Sequence, residues 1–153
     1  MQIIRNSLGV WRDLGFKQVV LLSVLDGRSN LVCACLDGTR FSIQEAQILT
    51  TIHHDCRCCF VGIHHDCLPG TRAFVMDTKA AKNIEMKYRQ QKIGQVDANI
   101  TFIEWFDSCT TRFQLEYLGA FRFNLFKNHN YKLTDFVDLR TFKILNNEEI
   151  IRP

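Results

Sequence analysis

Five of the seven cysteines in this 153-residue chain lie between Leu25 and Gly62, together with two histidines. His53-x-x-Cys56 is one short pair of potential metal ligands, His64-x-x-Cys67 is a second, and Cys33-x-Cys35 stands upstream of both. Zinc takes four soft or borderline ligands in a tetrahedron, and a short gap lets both members of a pair reach one ion from a tight turn. Cys33, Cys35, His53 and Cys56 make a chemically sensible set, with Cys58, His64 and Cys67 as substitutes. Free cysteines also serve as small buried hydrophobes, and spacing alone leaves both readings open. A third chemistry is a cysteine nucleophile with a neighbouring imidazole and an orienting carboxylate. His53, His54, Asp55 and Cys56 supply those types in sequence, but such groups are usually assembled in space from distant segments.

Short extended runs and turns are expected to position these side chains. Lys17 to Leu25 is a β-branched apolar run that reads as a buried strand, and Cys58 to Ile63 as a further short strand. Asp26-Gly27 and Asp37-Gly38 are turn dipeptides, so Leu31 to Leu36 and Thr39 to Ser42 are expected to form a hairpin across the second. Asp26, Asp37 and Glu45 could be grouped as a carboxylate site, but turn-forming aspartates and a capping glutamate account for them more simply. Ser42 precedes Glu45 at capping-box spacing and opens a helical turn through Leu49.

Helices are expected at residues 2–14, at 80–91 behind a cap at Asp77 or Thr78, and at 101–108, 111–127, 133–137 and 146–151. Residues 64–72 read as a turn around Pro69-Gly70. The fold class is therefore α+β: one compact domain over residues 1–153, with a cysteine/histidine knuckle over 15–68 and a mainly helical part over 77–151. Arg57, between two cysteines, is expected to be structural, its guanidinium donating to the carbonyls of the Asp26-Gly27 or Asp37-Gly38 turn or pairing with Asp37.

Composition narrows the classes. Hydrophobic residues at 46% and charged residues at 23% suit a packed globular domain, and a net charge of +3 is too small to argue nucleic-acid binding alone. No apolar run is long enough for a membrane span, and the first residues lack the apolar core of a secretory signal. Synthesis in a reducing cytoplasm is expected, with thiols rather than disulfides.

An ordered series of residues resembles the head morphogenesis domain of tailed phages, the family typified by the F protein of phage Mu. The series runs Leu25-Asp26-Gly27-Arg28-Ser29, Cys33, Leu36-Asp37-Gly38-Thr39-Arg40-Phe41, then His53-x-x-Cys56-Arg57-Cys58. It continues through Thr101 to Phe106 around Trp105, Phe113-Gln114, Leu118-Gly119, Arg122 and Asp135 to Asp138, so it spans most of the chain. Asn30 stands where the family pattern has its first cysteine, His54 where it has proline, and Cys35 lies close enough to replace the missing ligand.

The resemblance implies a structural minor head protein, present in several copies in the virion and not an enzyme. It implies association with the portal or the major capsid protein, and with packaged DNA during head assembly and delivery. It also implies one structural zinc on Cys33, His53 and Cys56, with Cys35 or Cys58 completing the shell. A zinc-knuckle nucleic-acid-binding protein and a cysteine-dependent or toxin-like enzyme are the alternatives. The segment 111–127 carries more apolar positions than one core-facing stripe needs. Phe123 and Leu115 are therefore candidate partner contacts, Trp105 is another because tryptophan is enriched at interfaces, and the basic run from Lys79 to Lys92 is a second candidate surface.

Overall fold

The computed structural model describes residues 2–49 and 56–152. Helix α1 (Gln2–Asp13) precedes strand β1 (Gln18–Leu22), the short strand β2 (Leu25–Asp26), helix α2 (Leu31–Leu36), β3 (Arg40–Ser42), α3 (Ile43–Leu49) and β4 (Cys59–Ile63). There follow β5 (Thr71–Val75), a 3-10 turn (Ala81–Asn83), α4 (Met86–Lys92) and β6 (Ile93–Asp97). The C-terminal part holds α5 (Phe102–Ser108), α6 (Thr111–Asn128), a second 3-10 turn (Leu133–Phe136), the ribbon β7 (Val137–Asp138) and β8 (Lys143–Ile144), and α7 (Asn147–Ile151). The chain is mixed α+β, with a thiol cluster in its first half and helices towards its end.

Among the described residues the strands form two small sheets and a ribbon, ordered β3-β1-β4, β2-β5-β6 and β7-β8. β1 is the central strand of the first sheet, antiparallel to both neighbours, and Val19, Val20 and Leu21 are buried there, as an unbroken apolar run requires. In the second sheet β2 runs parallel to β5, and β6 antiparallel to it. The expected hairpin across Asp37-Gly38 does not form. Gly38 does take a positive φ (80°), but Leu31–Leu36 is a helix whose residues are all buried, capped by the Asn30 side chain on Val32 N–H. A short run apolar on every side is compatible with either state by pattern alone; burial between α5, β7 and β8 selects the helix.

Residues 64–72 and 80–91 also differ from expectation. β5 begins inside the predicted turn, and the single basic helix is a 3-10 turn followed by a shorter α4 that runs directly into β6. Gly94 lies inside β6 and does not end a helix. The capping box at Ser42/Glu45 forms as the spacing predicts, and a second one forms at Thr101/Glu104. In α6 a break at Gly119 (φ 72°) turns the second half relative to the first. The first half buries Phe113, Gln114 and Leu118, while Phe123, Leu125 and Phe126 in the second half pack against the core from another direction. Rings of Phe74, Phe102, Trp105, Phe106 and Phe113 form a continuous aromatic cluster beneath α2.

Candidate metal centre

Three cysteines from two distant segments converge. Cys33 projects from α2, and Cys56 and Cys58 come from the segment leading into β4. Their sulfurs all lie within 4.8 Å of one another, and Cys33 Sγ is 3.6 Å from Cys56 Sγ. Cys33 and Cys58 are buried and Cys56 half-buried. With three thiols facing one point, the cluster can hold a metal ion. The thiol of Cys33 is pushed up to about 12, first by its hydrogen bond with Cys56 and then by burial, while Cys58 and the charge of Arg57 pull the other way. Cys58 is pushed up as well, by hydrogen bonds to Cys33 and Cys56 and by burial. Crowded buried thiols resist losing protons together, and a cation among them is what relieves that resistance.

Arg57 points away from the sulfurs and grips Asp26. Its Nη1 donates to Asp26 Oδ2 at 2.8 Å and its Nη2 to Oδ1 at 2.6 Å, a bidentate pair on a carboxylate that is almost wholly buried. Arg28 adds its backbone N–H at 3.0 Å to Oδ1 and its guanidinium at 3.3 Å to Oδ2. Burial alone would raise the Asp26 carboxyl, but the hydrogen bonds and charge of Arg57, helped by Arg28, outweigh it and hold the group below the usual carboxylate range. Arg57 therefore does brace the Asp26-Gly27 turn, but on the Asp26 carboxylate and not on a turn carbonyl. Asp37, the other partner considered, is taken by Arg72.

Asp37 sits at the C-terminus of α2 with its side chain fully enclosed. It accepts from Ser23 N–H at 2.6 Å and Phe102 N–H at 2.7 Å, and from both terminal nitrogens of Arg72 at 2.8 and 3.0 Å. One carboxylate thus joins the end of β1, the start of α5 and strand β5. Neither aspartate is free to act as an acid or base, because every oxygen is committed to a donor. The sequence did not reveal Arg72, whose only signal is a cation within an alternating run ahead of a second strand.

The remaining predicted ligands and contacts separate. Cys35 is buried beyond the cluster, since residues two apart on a helix point in nearly opposite directions, and burial pushes its thiol up to about 12. His53 lies outside the described residues, as do His54 and Asp55. In the second His-x-x-Cys, the His64 ring stacks on Phe16 at 3.7 Å and Cys67 is exposed, so that pair is not brought to the cluster. Trp105 is 3% exposed and packs between Phe74, Phe102 and Phe113, which makes it a core residue and not a partner contact. Phe123 is half-buried against the core because of the break at Gly119, whereas Leu115 and also Phe121 remain exposed.

No helix among the described residues is long and apolar enough to cross a membrane. Comparison of the chain with protein-family models, with curated proteins and with solved structures returns no match, so the candidate metal centre and its two aspartate clamps stand on their own geometry.

Proposed function

We propose that the chain is a structural minor head protein of a tailed phage, held in several copies at the portal vertex or head interior and stapled by one zinc ion. The observation that carries this reading is what the residues of the resemblance do. Asp26, Cys33, Asp37, Cys56, Arg57 and Cys58 all act as internal ties between segments distant in sequence. A motif spent on holding a small domain together suits a component selected for assembly and persistence. A cysteine enzyme would need a thiol of lowered pKa in an electropositive cleft. Burial pushes Cys109, like Cys35, up to about 12, so neither of those two thiols is of that kind.

Zinc is the metal the donors favour. A tetrahedral site with Zn–S bonds of about 2.3 Å has sulfur–sulfur edges of about 3.8 Å. The 3.6 Å separation of Cys33 and Cys56 needs little movement to reach that edge. His53, three residues before Cys56, is the sequence-based candidate for a fourth ligand. When bound, the ion supplies a covalent-strength link between α2 and the approach to β4, while Arg57 and Asp26 fix the segment that carries two of the ligands. Leu115 and Phe121 on α6 offer exposed apolar surface for a portal or capsid partner.

Two measurements test the reading. Heads purified from an infected host should contain the chain, with microscopy locating it at the portal vertex or inside the shell. Elemental analysis of protein prepared without added metal should give close to one zinc per chain. A chain missing from purified heads removes the assembly role, and protein containing no metal, with all its thiols titrating in the folded state, removes the zinc.

A further inference from the structure

The antiparallel pair β5 and β6 is not closed by a tight turn. Between Val75 and Ile93, which face each other at the last paired position, residues 76–92 form an excursion whose base is tied by Met76 N–H to Lys92 C=O and by an ion pair between Asp77 and Lys92. A second tie runs from Gly27 N–H to the Asp77 carbonyl, so the excursion is anchored on the Asp26 turn. Within it, Arg89 is an internal brace: Nε donates to Ile84 C=O at 2.9 Å and Nη2 to Lys82 C=O at 3.3 Å. Ile84 is buried beneath.

What this rigid platform presents outward is basic. Of the charges in residues 76–92, Arg89 is taken by the brace and Lys92 by Asp77, which leaves Lys79, Lys82 and Lys87 exposed against Glu85, a net +2. Lys79 and Lys82 are exposed and make no ion pair among the described residues. Lys87 is exposed, pairs only with the equally exposed Glu85, and lies 4.8 Å above the ring of Tyr88. Tyr88 itself is 44% exposed, and among the described residues no hydrogen bond engages its hydroxyl. These groups protrude on an excursion and line no enclosed cavity, which suits an extended polyanion approached from one side and not a small anion that must be surrounded.

We propose that residues 76–92 are a sequence-independent contact for the backbone of duplex DNA, with Lys79, Lys82 and Lys87 on phosphates and the Tyr88 hydroxyl donating to a phosphate oxygen. Lysine and tyrosine contacts of this type position a protein on a duplex without reading bases. The thiol cluster takes no part, because Cys33 and Cys58 are buried while the excursion is exposed. The inference rests on the head-protein reading only for the source of the DNA.

The test is fluorescence anisotropy of the full chain with a labelled duplex of about twenty base pairs, in two unrelated sequences. Three phosphate contacts give a slope of log affinity against log salt of about −2.7, which is a roughly forty-fold loss between 50 and 200 mM salt. Lys82→Ala should melt like the wild type and reduce that loss to roughly twelvefold, and Tyr88→Phe should weaken binding without altering the slope. Equal affinity for both sequences supports the proposal. A salt response unchanged by Lys82→Ala overturns it, as does competition by polyglutamate as effective as by DNA of equal charge. A chain that binds DNA in this way but is absent from heads supports this inference while removing the head reading. A head-resident chain with no duplex binding at 50 mM salt does the opposite.

Discussion

Replacing Asp37 by asparagine tests whether one buried carboxylate holds β1, β5 and α5 together. Oδ1 accepts from Ser23 N–H and Arg72 Nη2, and Oδ2 from Phe102 N–H and Arg72 Nη1, all between 2.6 and 3.0 Å. An asparagine keeps one acceptor oxygen and turns an NH2 group towards the donors at the other. That leaves a buried N–H unpaired, at about 1–3 kcal/mol, and removes the counter-charge of Arg72, whose side chain is only 11% exposed. Breaking a buried pair from one side costs about 3–5 kcal/mol. The two penalties overlap and do not add in full, so the expected loss is about 4 kcal/mol, or roughly 8–16 °C in Tm at this chain length. Thermal unfolding followed by circular dichroism measures it. Arg72→Met removes the stranded charge, so its coupling with Asp37→Asn should reach about 1.5 kcal/mol in a double-mutant cycle. A Tm drop below about 3 °C, or a coupling of zero, would refute the reasoning.

Arg57→Lys should lower stability by about 1–2 kcal/mol, less than a fully buried pair because Arg57 is 35% exposed, since a point charge cannot reproduce the two-pronged contact with Asp26; a melting curve identical to wild type would make Arg57 a contact residue instead. Asp77 is raised by burial but lowered further by its hydrogen bonds to Lys92 and the Lys79 N–H, so its folded pKa lies below the unfolded one and its stabilisation, complete above about pH 4, is lost as pH falls through the folded value. Urea midpoints of wild type and Asp77→Asn should accordingly differ at pH 7 and converge towards pH 3, and a constant gap would contradict this. Phe123→Asp should destabilise the isolated chain by about 2–4 kcal/mol, whereas Leu115→Asp should leave its melting temperature nearly unchanged; equal effects would mean that both side chains belong to the core. Removing bound metal with a chelator should increase hydrogen exchange across residues 31–36 and 56–63 more than across β5 and β6, and uniform exchange would place the metal elsewhere.

Much of the fold was legible because it is local. The capping box at Ser42, the buried β1 run and the amphipathic α1 follow from spacing that needs no tertiary partner. The errors arise where tertiary context overrides a short pattern. Asn30 stood out only as a substitution for a cysteine, yet its side chain caps α2, and a cap immediately before LVCACL was the available sign that this run is helical. Pro69-Gly70 concealed the start of β5, and a cap at Asp77 or Thr78 suggested one long helix over 80–91 where a 3-10 turn and a shorter helix interrupt a strand pair. For the site, spacing put Cys33 and Cys56 in the preferred ligand set and Cys58 among its substitutes. Cys35 could be set aside only after Cys33 was known to lie on a helix, where the next residue but one faces away.

The buried polar groups and the outward ones are divided between different parts of the chain. Asp26, Asp37, Arg57 and Arg72 spend their hydrogen-bonding capacity inside, and Tyr117 adds a bond from α6 to the Ser29 carbonyl at 3.0 Å, so the segment after β2 is tied both to β4 and to the C-terminal helices. Such long-range ties cost loop-closure entropy, and charge-assisted, many-donor contacts are the kind that offset it in a domain with small sheets. The surfaces left open lie elsewhere: the 76–92 excursion, Leu115 and Phe121 on α6, and the exposed apolar side chains of Val10, Leu14, Ile48 and Ile151. A change that abolishes partner binding without loss of stability should therefore fall on such exposed surfaces, and a change within the cysteine-rich segment should act first on the fold.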